Sequence, residues 1–208
     1  LVAWVILWIL STRPHSRGVV TANTAAQLET KSWVELTRWH KRCLLRHWFR
    51  MSNARSGLRL VHKKHPETWR VDGQTCREEN SESFAGLHAA HSTPFFIFDE
   101  ASAVPDVIWE VAEGGLTDGE PMWFVFGNPT RNSGRFFECF GRYRDVWNTR
   151  RVDSRDARMT NKELLNRWVQ SYGVDSDFVR VRVMGQFPMA SSRQFISSAD
   201  VSAAIGRE

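Results

Sequence analysis

The chain opens with ten uninterrupted apolar residues, Leu1 to Leu10. As a helix this run reaches about 15 Å, half of a roughly 30 Å hydrocarbon layer, so it predicts a buried helix and not a membrane span. After Pro14 and Gly18, Val19 to Asn23 turns from apolar to polar within a few residues, as a buried strand does where it enters a loop. Thr24 then precedes a pattern of mixed three- and four-residue apolar spacings that predicts one long amphipathic helix over Ala25 to Leu45. Residues 50–57 look like a loop. Leu58 to Val61 and Thr68 to Val71 read as a hairpin of short strands separated by the cationic stretch His62 to His65.

The middle of the chain carries the sharpest signals. Phe95 to Phe98 is apolar at every position, which suits a central parallel strand covered on both faces, and it ends in Asp99-Glu100. A helix follows from Pro105 to the stop at Gly114-Gly115, and Met122 to Phe126 repeats the wholly apolar theme before Gly127-Asn128-Pro129-Thr130. Strand, helix and strand together predict a βαβ unit. Beyond it, Gly134 to Phe140 reads as a short helix, Val146 to Val152 as a strand and Leu164 to Tyr172 as a helix. Phe178 to Val183 suits either helix or strand. The Ser-rich stretch from Gln186 reads as a linker, so the domain boundary is expected between 185 and 186.

Composition narrows the classes. With 42% hydrophobic and 25% charged residues the 208-residue chain suits a globular α/β domain and excludes disorder, collagen and coiled coil. Its charge of +5 comes from 23 arginines against five lysines, a balance suited to phosphate-bearing partners. Three scattered cysteines do not make a disulfide framework or a zinc knuckle, so a reducing, intracellular setting is the expectation. Six of the ten tryptophans, among them Trp4, Trp8 and Trp109, fall within predicted elements and read as core. His88 and His91 lack a nearby third ligand and read as structural.

Ligands of open parallel sheets sit outside the carboxyl ends of the strands, and three predicted strands end there in Thr21-Ala22-Asn23, Asp99-Glu100 and Gly127-Asn128. An aspartate in that half-dry place is stable when a cation faces it, which fits Asp99 as a magnesium residue of a nucleoside triphosphatase. Glu100 can orient or deprotonate an attacking water, and the Asn128 amide can both donate to a terminal phosphate and accept from that water. The structural alternatives are an acidic pair opening a turn and an asparagine forming a turn before Pro129.

The strings VTANTAAQL (Val20 to Leu28), SESFAGLHA (Ser81 to Ala89), FIFDEASAVP (Phe96 to Pro105), GNPT (Gly127 to Thr130) and GRFF (Gly134 to Phe137) resemble the large subunit of tailed-phage terminases. The resemblance runs from about residue 16 to residue 204. It implies a three-layer RecA-like fold of the P-loop NTPase type with a mostly parallel central sheet, using ATP and Mg2+ to package double-stranded DNA into procapsids in the host cell cytoplasm. It further implies Asp99 as the Walker B magnesium residue, Glu100 as the catalytic carboxylate, and Asn128 to Thr130 as the motif coupling hydrolysis to movement. A small subunit, a portal ring and further copies in a ring motor are the implied partners.

The pattern departs from the family in one respect. No G-x-x-x-x-G-K-S/T string occurs, and none of the five lysines follows a glycine. The expectation is therefore an ATPase domain over 1–185 without its phosphate-binding loop, inactive alone, with 186–208 leading toward a nuclease domain. The runner-up is a non-enzymatic prophage remnant or basic DNA-binding fragment. Residues 131–158 hold eight arginines against four acids. Arg131, Arg135, Arg150 and Arg151 are candidates for DNA contact or for a trans-acting finger, against the alternative of a solvated basic face.

Overall fold

The computed structural model describes residues 1–52, 57–87, 89 and 91–189. His88 and the tail from residue 190, with most of the expected linker, lie outside the described residues. The chain divides into two compact units, Leu1–Gly127 and Asn128 onward, a division inside the span that the sequence assigns to one domain.

The first unit is built on a six-stranded sheet in the order β2-β3-β4-β1-β5-β6. Its strands are β1 (Arg17–Ala22), β2 (Phe49–Met51), β3 (Leu58–His62), β4 (Arg70–Thr75), β5 (Pro94–Phe98) and β6 (Met122–Val125). β4, β1, β5 and β6 run parallel, while β2 and β3 join as antiparallel neighbours at one side. The fold is thus mixed α/β with a mostly parallel sheet, as expected. The hairpin of β3 and β4 and the adjacent parallel pair β5 and β6 are also present as expected, with β4 running Arg70–Thr75 in place of the expected Thr68 to Val71.

Alternation along β5 makes the layers. Phe95 and Ile97 face α1 (Val2–Thr12) and α3 (Trp33–Arg42) in one continuous core with Val20, Ile6 and Leu36. Phe96 and Phe98 face the other way, toward Phe84 of a 3-10 turn and Trp109 of α4 (Asp106–Gly114); the Phe98 and Trp109 rings meet edge to face at 5.1 Å. Each of these side chains is fully buried, at about 1.5–3 kcal/mol apiece in hydrophobic transfer. Gly18 belongs to this packing. A Cβ there would lie 2.2 Å from the Phe95 ring, so only glycine lets the ring lie across β1.

Other expectations for this unit change. The helix predicted over Ala25 to Leu45 is a composite: α2 (Ala25–Gln27), a π-helical stretch Leu28–Ser32, then α3, ending at Arg42 where Cys43 turns extended. Part of the predicted loop 50–57 is β2, whose Phe49 pairs with His62. The α1 helix buries only one face, Ala3, Ile6, Ile9 and Leu10, while Trp4 and Trp8 stay half exposed, with Trp4 edge-on to Trp39. β6 is half-buried throughout because, among the described residues, it has one strand neighbour and not two.

The second unit is helical where it is regular: α5 (Arg135–Glu138), α6 (Lys162–Tyr172) and α7 (Asp177–Arg182), the last resolving the helix-or-strand alternative. Asn161 and Ser176 cap α6 and α7 by accepting from the amides of Leu164 and Val179. The core is small: Leu165, Val179 and Val183, with a separate aromatic group around Phe187. Val146 to Val152 is not a strand. The Ser154 amide donates to Val183 O at 2.7 Å, and a Cβ on Gly185, whose φ is +60°, would sit 2.6 Å from Val152 O. The segment therefore lies along the turn after α7, with Val146 and Val152 exposed.

Candidate functional site

The carboxyl ends of β1, β5 and β6 form one edge of the first unit, because the three strands are parallel and adjacent. The ladder continues past the last regular residue of β5: the Asp99 amide donates to Thr21 O at 2.9 Å, and the Ala101 amide donates to Phe126 O at 2.9 Å. Between these two anchors the backbone of Glu100 is left-handed, with φ 57° and ψ 44°. That conformation costs a non-glycine residue roughly 1–2 kcal/mol, and here it turns the chain off the strand within one residue. Gly127 completes the rim. A Cβ at Gly127 would lie 2.9 Å from Ala101 N, so the end of β6 can pass beneath the Glu100 turn only as glycine.

Asp99 has a partner that sequence reasoning missed. Ser32 Oγ, at the end of the π-helical stretch, donates to Asp99 Oδ2 at 2.7 Å. Its signal in the sequence was a polar residue on an apolar stripe: Leu28, Ser32 and Leu36 recur every four residues, and all three are buried. A buried hydroxyl needs a hydrogen-bond partner, and the strand-end carboxylate is that partner.

At the carboxyl end of β4, Cys76 donates from Sγ to Ala22 O at 3.3 Å, and burial pushes its thiol above the ordinary range, which makes it an inert neighbour of the rim. His91 has a left-handed backbone, and no group of three His, Cys, Asp or Glu suited to a metal occurs among the described residues. Magnesium needs no such cage. It is bound through one or two carboxylates together with waters and substrate phosphates, and the carboxylate oxygens of Asp99 and Glu100 are hard donors of the kind that suit it.

The remaining candidates belong to the second unit. Asn128 and Thr130 open it in a tight turn, the Thr130 amide donating to Asn128 O at 2.8 Å, and both are exposed. Arg131, Arg150 and Arg151 are exposed as well. Arg135 is half-buried, its guanidinium 4.0 Å from the centre of the Tyr143 ring. Arg151 lines an open cavity of about 540 Å³ together with Arg180, Phe137, Phe140 and Phe187. Arg155, not among the candidates, is held by Asp153 at 2.7 Å, and that contact holds the Asp153 carboxyl below its ordinary range.

No family model matches the chain. A curated relative, the probable terminase large subunit of Enterobacteria phage P7, is 26% identical over 148 residues, which cover 67% of this chain and 30% of that protein. Among solved structures, the large terminase of a thermophilic bacteriophage in complex with ADP superposes with a TM-score of 0.68 at 20% identity, covering 91% of this chain and 45% of that one. A mutant of the Thermus phage P74-26 large terminase ATPase domain gives a TM-score of 0.60 at 19% identity, covering 87% of this chain and 80% of that one. The chain spans about a third of its curated relative. The resemblance to tailed-phage terminase large subunits is thus found in sequence, and the RecA-like fold is that of their ATPase domain.

Proposed function

We propose that this chain is part of the ATP-hydrolysing motor of a tailed-phage terminase large subunit, working on double-stranded DNA in the host cytoplasm. Asp99 holds the hydrated Mg2+ of a bound nucleotide, and Glu100 orients the attacking water. Asn128 and Thr130 sense the terminal phosphate and couple its loss to movement. Bound Mg2+ neutralises charge on the β- and γ-phosphate oxygens. One of Arg131, Arg135, Arg150 and Arg151 serves a neighbouring copy's nucleotide or the DNA backbone. The other partners in this reading are the small subunit, the portal ring and further copies of the chain in a ring.

The observation that carries the reading is the Asp99-Glu100 turn: an acidic pair at the mouth of a central parallel strand, fixed by backbone bonds to both neighbouring strand ends, with its second member in a left-handed conformation. ADP and ATP-gamma-S complexes of fold neighbours support nucleotide binding at this kind of domain. The 208 residues carry no G-x-x-x-x-G-K-S/T string, the motif that supplies the lysine and the row of amides that cradle β- and γ-phosphates. In this reading the chain alone hydrolyses ATP feebly or not at all.

Phosphate release by malachite green tests both statements, measured on this chain and on a longer polypeptide that adds such a loop ahead of Leu1. The loop-bearing form is expected to turn over, and E100Q within it to abolish hydrolysis while ATP binding persists. Equal, brisk turnover in both polypeptides overturns the loop dependence. Undiminished turnover in E100Q overturns the assignment of the carboxylates.

A further inference from the structure

We infer that Ser32 is a positioning residue for the metal-holding carboxylate, and that the π-helical stretch Leu28–Ser32 exists to deliver it. The inference rests on the reading of Asp99 given above and extends it to a second segment of the chain.

Three observations converge. Ser32 lies 67 positions before Asp99, yet its hydroxyl donates to Asp99 Oδ2 at 2.7 Å, in the short range of a charge-assisted hydrogen bond. Ser32 is only 9% exposed, on a helix face otherwise made of Leu28, Trp33 and Leu36. The helix is also locally expanded at this point: the Trp33 amide donates to Leu28 O, five residues back, in place of the usual four. One extra residue in a turn shifts the phase of every later position on the helix, and such expansions recur at functional sites. Here the expansion lets Ser32 and Trp33 both face the sheet, the indole filling the core and the hydroxyl meeting the carboxylate.

The consequence for Asp99 is physical. A carboxylate at a strand end rotates about its terminal torsion unless something holds it. The Ser32 bond engages Oδ2 and fixes the plane of the group. With one oxygen anchored by protein, the direction in which the other meets a cation's water shell is set. Hydrogen bonds of this kind to ligating carboxylates typically change metal affinity by about 10- to 100-fold. Simple core filling does not explain the choice of residue, since an alanine on this stripe would pack without needing a partner.

Mn2+ titrated as its ADP complex, a paramagnetic substitute for Mg2+ with ADP whose EPR spectrum changes on binding to protein, tests the inference on the loop-bearing polypeptide in its wild-type, D99N, S32A and S32T forms. Binding is expected to vanish in D99N, to weaken about tenfold in S32A, and to return toward the wild-type value in S32T, which restores the hydroxyl. Thermal melts run alongside separate this from packing: a merely structural serine would move the melt in S32A and leave Mn2+ affinity unchanged. Loss of binding in D99N with wild-type affinity in S32A overturns the role of Ser32 and leaves that of Asp99 standing. Wild-type affinity in D99N, or no binding by any of these proteins, overturns Asp99 as the metal residue and the inference with it. Should S32A fail to fold, S32T against D99N still decides, because a threonine that keeps the fold and loses the ion contradicts positioning by a hydroxyl.

Discussion

The two units are stabilised in different ways. In the first, a buried sheet sets the position of every strand end, and β5 contributes Phe95 to Phe98 to two cores at once. In the second, a core of three buried aliphatic side chains is supplemented by helix caps, ring contacts and the Arg155–Asp153 ion pair. The difference teaches where precision is available. A carboxylate held by a parallel ladder has its backbone fixed from both sides, whereas the residues from Asn128 onward begin a unit whose elements are short and whose cationic side chains are largely exposed. A motor reading puts chemistry on the rigid part and response on the lighter one.

That contrast can be broken in graded steps. The largest effect is expected from Gly18→Val, which drives a side chain into the Phe95 ring; it should cost about 3 kcal/mol, near the upper end for overpacking, and denaturant melts should show the loss of the sheet. Val179→Ala should cost about 2 kcal/mol, and hydrogen exchange should report faster opening of α6 and α7 while the β1 and β5 amides keep their protection. Equal loss of protection in both units would contradict their separate stabilisation. Asn161→Ala removes only a cap, about 1 kcal/mol, and should fray the start of α6 in the same exchange experiment.

The smallest effect is one of pH. His62 is stacked between His65 and Trp69, with ring centroids at 5.3 and 4.3 Å, and also meets the Trp48 and Phe49 rings edge-on. Burial first, then the nearby charges of His65, His15 and Lys64, hold its pKa below the ordinary 6.5. The unfolded chain therefore binds the proton more readily, so stability is complete above about pH 6.5 and is lost as pH falls below it toward the folded value. His62→Phe keeps the stack and removes the titration. Its melting temperature should vary less between pH 7.5 and 5.5 than that of the wild type, and an identical pH dependence would remove His62 as the cause.

Much of the first unit was legible because its signals are local and redundant. Phe95 to Phe98 is apolar on both faces, Pro105 and Gly114 punctuate α4, and Gly127 ends β6. The acidic pair was legible too, because a carboxylate directly after a wholly apolar run has few places to be. Ser32 went unread although it shares the four-residue stripe of Leu28 and Leu36, since its partner Asp99 lies 67 positions away and only the fold brings the two together. Phe49 to Met51 is too short to show strand periodicity, and it is a strand because β3 offers it an edge. Val146 to Val152 had the composition of a strand, but among the described residues no strand pairs with it, and the amide of Ser154 just beyond it donates to Val183 O after α7.

Anomalous diffraction from crystals of a loop-bearing form grown with Mn2+ and ATP-gamma-S tests the central claim most directly. The account predicts one manganese peak between the nucleotide phosphates and the Asp99 carboxylate, at direct or single-water distance, with Ser32 still bonded to Asp99. A peak held by other residues, or a nucleotide bound away from the ends of β1, β5 and β6, would contradict it.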